Sequence, residues 1–208
     1  MVDLTKLKDE QRRLARKVDL IDGFSKLDTV AGCDIAYTDD KVISVIVVCD
    51  IGSMKVREAK HSVMDIRFPY IAGFLSYREA VPTVETYHKL ELDPDVMIIE
   101  GNGILHPRKM GLASHVGLLT DKPTIGVSKK LLCGTPEKNT VYIGKEAVGK
   151  VLDTKEKAKP IYLSPGHKVS LKSSLSVVKS CLKEHKLPEP LHLAHKYAMK
   201  IKRNLKKG

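Results

Sequence analysis

Asp34 stands in the middle of Val30-Ala31-Gly32-Cys33-Asp34-Ile35-Ala36-Tyr37, a run whose other residues belong in a core. An ionised carboxylate there costs several kcal/mol, on the order of one strong interaction, unless a cation or hydrogen-bond donors compensate it. A metal ion would be such a cation; bonding to backbone at a strand bulge is the other solution the residues leave open. Glu100 follows the apolar run Val96-Met97-Ile98-Ile99 and precedes Gly101-Asn102-Gly103. That is the carboxyl end of a strand, where ligand sites of open α/β sheets gather, and its glycines would let a phosphate approach the backbone. Glu79, in Tyr77-Arg78-Glu79-Ala80, comes just before a helix expected to start near Pro82 and offers a third carboxylate or simply an exposed helix-start acid. Oxygen donors without clustered Cys or His suit a hard ion such as magnesium, with manganese as a substitute. Such an ion activates water and clamps a scissile phosphate.

Other side chains could assist. His106, in Ile104-Leu105-His106-Pro107-Arg108, lies in the same glycine-punctuated loop and could meet a phosphate or the attacking water. Lys129 follows the strand Pro123 to Val127 and could offset charge developing on phosphorus. Tyr70, on the loop Pro69-Tyr70-Ile71-Ala72-Gly73, is an aromatic that either packs locally or wedges into a base stack. His185, His192 and His195 match no close zinc spacing and lie among lysines, so they are read as part of a solvated face.

The elements that must position these groups follow from periodicity. Leu7, Leu14, Val18 and Ile21 recur at near-helical spacing and predict an amphipathic helix from Leu4 to Leu20. Thr29 to Tyr37, Val42 to Asp50 and Val56 to Ile66 read as three antiparallel strands separated by turn residues. Beyond Pro82 come a helix, the strand Val96 to Ile99, a helix near Gly111 to Leu119, and the strand Pro123 to Val127. Three strands, helix, strand, helix, strand is the order of the RNase H-like architecture, an α/β fold with a mixed five-stranded sheet flanked by helices. Extra helices are expected at both ends, the C-terminal ones marked by Leu171, Leu175, Val178 and Leu182 and by Leu191, Ala194, Ala198, Ile201 and Leu205. With no repeat or low-complexity linker in 208 residues, one domain is expected.

Composition narrows the partner. The 36 Lys and Arg against 25 Asp and Glu leave a formal net charge of +11. A field of that sign suits a polyanion, and nucleic acid comes first, because basic side chains that neutralise phosphates release condensed counterions. Four scattered cysteines without a CxxC pair suit a reducing compartment, and no apolar run is long enough for a signal or a membrane span. A cytoplasmic monomer with no membrane partner is expected.

Taken in order, four segments resemble endonuclease V. Ala31 to Tyr37 is similar to that family's first acidic strand, and Pro69 to Glu79 to its wedge loop and second acidic residue. Glu100 to Arg108 with Gly111 to His115 is similar to its central motif, and Ile125 to Lys129 to its lysine strand. The resemblance implies that Asp34 and Glu100 hold magnesium, that Glu79 completes the acidic site, and that His106 and Lys129 assist phosphodiester hydrolysis. It further implies that Tyr70 wedges beside a flipped base and that Ser164-Pro165-Gly166-His167-Lys168 brings His167 near the nucleic acid. The implied reaction is a nick at the second phosphodiester bond 3′ to a deaminated purine, deoxyinosine in DNA or inosine in RNA, leaving 3′-hydroxyl and 5′-phosphate ends. Two departures stand out. Glu100 replaces the family's usual Asp, and the loop reads Pro-Tyr-Ile-Ala where Pro-Tyr-Ile-Pro is commoner. Because the extra methylene moves the carboxylate by about 1.5 Å, an alternative is a protein that binds inosine-containing strands but cleaves them weakly; another RNase H-like nuclease, such as a junction resolvase, is a third.

Overall fold

Val, Ile and Cys dominate residues 41–50, and a strand so apolar on both faces belongs inside a sheet. In the computed structural model, which describes residues 2–206, this run is β2 (Lys41–Asp50), with eight successive buried residues. It pairs antiparallel with β1 (Thr29–Tyr37) on one side and β3 (Val56–Asp65) on the other. β4 (Val96–Glu100) runs parallel to β1, and β5 (Thr124–Ser128) parallel to β4. The order β3-β2-β1-β4-β5 is the mixed five-stranded arrangement expected from the chain's alternation. The β1–β2 register is unbroken from Thr29 to Tyr37, so Asp34 does not sit at a bulge.

The sheet extends beyond those five strands. β6 (Thr135–Glu137), β7 (Thr140–Ile143), β8 (Glu146–Leu152) and β9 (Ile161–His167) bring it to nine, with β9 antiparallel beside β5. Periodicity does not announce them. β6 is exposed throughout, and β9 contains Pro165, a residue that normally argues against an inner strand. Pro165 is tolerated because the β5–β9 register slips between Thr124 and Ile125, and an interrupted ladder there asks for one donor fewer.

α1 (Leu4–Ala15) starts at Asp3, whose carboxylate accepts from the Thr5 and Lys6 N–H groups, and stops short of the expected Leu20. α2 (Leu75–Tyr87) begins well before Pro82, which lies inside the helix instead of opening it. Proline removes the N–H that would reach the Arg78 carbonyl. The helix persists because Ala80, Pro82, Thr83 and Thr86 are buried against the sheet, and Glu79 is therefore a helical residue and not a loop one. α3 (Leu112–Thr120) packs beside α2, and both cover the sheet face that carries Ala31, Ile46 and Met97. α4 (Leu171–Ser180) and α5 (Glu189–Leu205) cover the opposite face, with Val177, Leu191 and Ala194 against Val30, Val45 and Ile98. No described helix is long and apolar enough to cross a membrane.

Candidate active site

Strand alternation decides which carboxylates can meet. Val30, Ala36, Val96, Ile98, Ile125 and Val127 all lie in the core on the α5 face, so Asp34, Glu100 and Lys129, each an even number of residues away along its strand, share that face. The parallel register pairs Cys33 with Ile99, which puts Asp34 next to Glu100 at the carboxyl end of β4. Glu100 in turn lies opposite Val127, and Lys129 follows two residues later. The Lys129 Nζ stands 2.6 Å from the Glu100 Oε1.

The third member of the cluster is His195, which sequence reasoning set aside. Its Nδ1 lies 2.7 Å from Asp34 Oδ2, and ligand atoms of Asp34, Glu100 and His195 all fall within 4.8 Å of one another. The placement follows from Gly32. A Cβ there would lie 2.1 Å from the Pro190 carbonyl carbon and 2.4 Å from the Leu191 nitrogen, so only glycine lets α5 press its first turn onto β1. From that contact the helix rises about 6 Å over Leu191 to His195, and the strand advances about 6.6 Å over Gly32 to Asp34. The two paths arrive together. The signal in the sequence was the position of His195 beside the buried stripe Leu191, Ala194, Ala198, at a helix turn that faces β1.

Electrostatics marks the same spot. Burial, and then the hydrogen bond and charge of Glu100, push the Asp34 carboxyl well above the usual carboxylate range. Burial acts on Glu100 in the same sense, but the bond from Asp34 and the Lys129 ammonium outweigh it and hold Glu100 low. Two adjacent carboxylates in a poorly hydrated site therefore retain a proton unless a further cation joins them. Two carboxylates and one imidazole could hold a divalent cation here. Glu79 is outside this group of three. It is buried in α2, accepts a 2.6 Å bond from the Tyr37 hydroxyl, and is raised to about 7 by burial first and also by the charge of Glu100. The Arg78 guanidinium, over the Tyr37 ring at 4.5 Å, lies next to that bond.

Beside the cluster opens a cavity of about 550 Å³, a size that suits a small ligand or a nucleobase. Tyr70-Ile71-Ala72-Gly73 forms one rim, with Tyr70 72% exposed; Gly101, Asn102, His106 and the segment from Ser128 to Leu132 form the other. Glu100 and Lys129 line it too, so the cavity and the acidic cluster share a wall. The Gly101 N–H donates to the Val127 carbonyl, and the Asn102 side chain accepts from the Ser128 hydroxyl at 3.3 Å. Gly103 is different: the space its side chain would fill is taken by the Pro165 carbonyl oxygen, so it serves chain packing.

Of two further expected site residues, His106 lines the cavity but is tied to the chain, and His167 lies elsewhere. His106 is buried, its Nε2 donates to the Gly73 carbonyl at 3.1 Å, and its Nδ1 accepts from the Arg108 N–H at 3.2 Å. Burial first, then the Arg108 charge, lower it to about 4, so it is a neutral ring with both nitrogens engaged by the chain. His167 is not brought to the site. Because β9 runs antiparallel to β5, His167 pairs with Thr124 at the far end of the strand from Lys129, where its Nδ1 accepts from the Asp19 N–H.

Comparison with known proteins places this geometry. Residues 12–196 match the family described as Endonuclease V. The chain is similar to endonuclease V of Dictyoglomus thermophilum, with 39% identity over 198 residues, covering 91% of this chain and 87% of that one. Its fold is similar to the crystal structure of endonuclease V from Bacillus subtilis, with a TM-score of 0.92 and 32% identity over 100% of this chain and 95% of that one. It is also similar, with a TM-score of 0.87 and 29% identity over 97% and 98% of the two chains, to the Ciona intestinalis endonuclease V solved with a 24mer DNA containing an inosine followed by a ribo-adenosine. With residues 12–196 matched by the family model and 39% identity to a member over most of both chains, the chain belongs to the endonuclease V family.

Proposed function

We propose that this nuclease recognises a deaminated purine, chiefly deoxyinosine in DNA, and hydrolyses the second phosphodiester bond on its 3′ side, leaving 3′-hydroxyl and 5′-phosphate ends. The observation that carries the proposal is the shared wall: Glu100 belongs both to the cluster with Asp34 and His195 and to a cavity, rimmed by Tyr70, that is large enough to admit an extruded base. The Ciona relative, solved with inosine-containing DNA, supports the choice of lesion.

In this proposal Asp34, Glu100 and His195 hold a divalent ion, magnesium or manganese. Bound there, it supplies positive charge against the scissile phosphate and acidifies water. Lys129, beside Glu100, faces the negative charge that grows on the phosphate oxygens. Glu79, fixed by Tyr37, completes an acidic wall that keeps the site attractive to cations. Tyr70 enters the base stack while the extruded base occupies the cavity, a route that costs a few kcal/mol, on the order of one unstacking step. Gly101, Asn102 and the loop residues Ile71, Ala72 and Gly73 shape the walls around it, and Pro69 leads into that loop. His106 holds the loop and does not exchange protons.

The test is a deoxyinosine-containing oligonucleotide incubated with magnesium or manganese, beside the Asp34→Ala variant. The expected result is a metal-dependent nick one nucleotide beyond the lesion from the wild type and none from the variant. A silent wild type, or an undiminished variant, overturns the proposal. The same oligonucleotide with inosine in a ribose backbone measures how far the activity extends to RNA.

A further inference from the structure

The packed stripe of α1 is centred on an amide. Leu4, Leu7 and Leu14 are half-buried at helical spacing, and the residue between them, Gln11, is the one fully buried side chain of the helix, at 1% exposure. An apolar residue would be the ordinary choice there, and a buried amide requires partners. Gln11 has two. Its Nε2 donates to the Gly73 carbonyl at 3.2 Å, and its Oε1 accepts from the Arg108 Nε at 2.5 Å.

Those partners belong to two different segments: Gly73 lines the cavity on the side of Tyr70, and Arg108 lies two residues beyond His106, which lines the other side. Gly73 ends the loop that carries Tyr70 and adopts φ +79°, a left-handed conformation that glycine tolerates. Its carbonyl also accepts from Arg108 Nη2 at 2.6 Å and from His106 Nε2 at 3.1 Å. Three donors from two segments thus converge on one oxygen, and the Arg108 guanidinium, 4.6 Å over the Phe74 ring, closes the joint. A second tie joins α2 to α1: the Tyr77 hydroxyl donates to the Glu10 carboxylate at 2.9 Å, with the Leu7 carbonyl also within reach at 3.1 Å.

We infer that Gln11 is a positioning residue for strand separation: from outside the cavity it locks the hinge at Gly73 to Arg108 and so fixes the angle at which Tyr70 enters a duplex. The inference rests on the wedge role proposed above. A base already free of a partner strand needs no wedge, so the effect of Gln11 is specific to duplex substrate.

The experiment compares steady-state nicking of one deoxyinosine sequence, duplex and single-stranded, by wild type, Gln11→Leu and Arg108→Lys in magnesium. Leu continues the apolar stripe, so α1 stays docked; the unpaired Arg108 lowers the melting temperature modestly, and rates are measured well below the transition of every variant. Lys keeps the charge of Arg108 but not the fork that serves Gln11 and Gly73 at once. Both variants are expected to raise KM for the duplex by about tenfold or more, the effect of one lost buried charge-assisted bond, with kcat and the single-strand KM within about twofold of wild type, less than such a bond is worth. Unchanged duplex KM, equal losses on both substrates, or a loss confined to kcat each overturn the inference. A wild type that nicks neither substrate overturns the proposed function, and this inference with it.

Discussion

The Asp34 carboxylate on β1 meets the His195 Nδ1 on α5 at 2.7 Å, across 161 residues of chain. Asp34 is 4% exposed while the His195 side chain is 46% exposed, so the pair runs from the core to the solvent edge of the site. A ligand that straddles that boundary can close a cation site without being needed for packing.

His195→Ala is therefore expected to leave the fold intact and weaken the site. Nicking of a deoxyinosine strand should fall by about 100-fold, the upper range for loss of one group that orients or binds a metal. A second readout is the rise in melting temperature on adding manganese, which measures binding to the folded state. That rise should shrink in His195→Ala while the metal-free melting temperature stays put. An unaltered manganese response would place the ion elsewhere.

Much of this was legible in the chain. Asp34 and Glu100 announced themselves because an acid inside or at the end of a Val- and Ile-rich run has few other uses, and alternation then put both on one face. His195 was not legible from spacing, because its ligand partners are remote in sequence and its helix carries histidines and lysines that mimic a solvated face. What brings it in is the tertiary contact of Pro190 on Gly32, which no local period records. The outer strands were hidden for a related reason: Thr135–Glu137 buries nothing, and Pro165 survives in β9 through a register slip its own sequence does not disclose. Glu79 lies within α2 and not just before a helix, since Pro82 reads as a helix start and tertiary burial overrode it.

Glu100 reaches Lys129 at 2.6 Å with one methylene more than an aspartate would have. In Glu100→Asp the carboxylate retreats by about 1.5 Å and the ion pair opens. Magnesium tolerates little departure from octahedral geometry, whereas the longer arm of glutamate accommodates a laxer ion. The wild type is expected to nick faster with manganese than with magnesium, and Glu100→Asp to move that ratio toward magnesium by about tenfold, a shift of 1.4 kcal/mol or so. Rates measured with each ion at saturation decide it. If the substitution raises kcat sharply with both ions while binding is unchanged, the native chain is instead a strand binder with impaired cleavage.

His106 makes the stability of the protein depend on acid. Burial lowers it to about 4 in the folded chain, against about 6.5 when unfolded. Below 6.5 the unfolded chain takes up a proton that the folded one refuses, so this contribution is fully present at neutral pH and is lost as the pH falls toward 4. The loss approaches about 3 kcal/mol. The raised carboxyls of Glu79 and Asp34 act in the opposite sense over the same range, so the His106 contribution is read as a difference: the urea midpoint of the wild type should drop relative to that of His106→Asn as the pH is lowered from 7 to 4. Parallel curves would mean that the ring is not held neutral.

Gly32 offers the sharpest link between fold and chemistry. A methyl group there would overlap the Pro190 carbonyl at 2.1 Å, and both partners are backbone, so neither can swing aside. In Gly32→Ala the first turn of α5 must lift from β1, at a cost of about 2–3 kcal/mol for an overpacked contact. The same displacement carries His195 away from Asp34, whose bond lies one helical turn further on. Activity should therefore drop by more than the unfolded fraction accounts for, even at temperatures where the variant is fully folded. Gly52→Ala is the control, because a Cβ at Gly52 meets only the Asp50 carboxylate oxygen at 3.7 Å. A Gly32→Ala variant that unfolds early but nicks normally while folded would show that the seating of α5 does not set the position of His195.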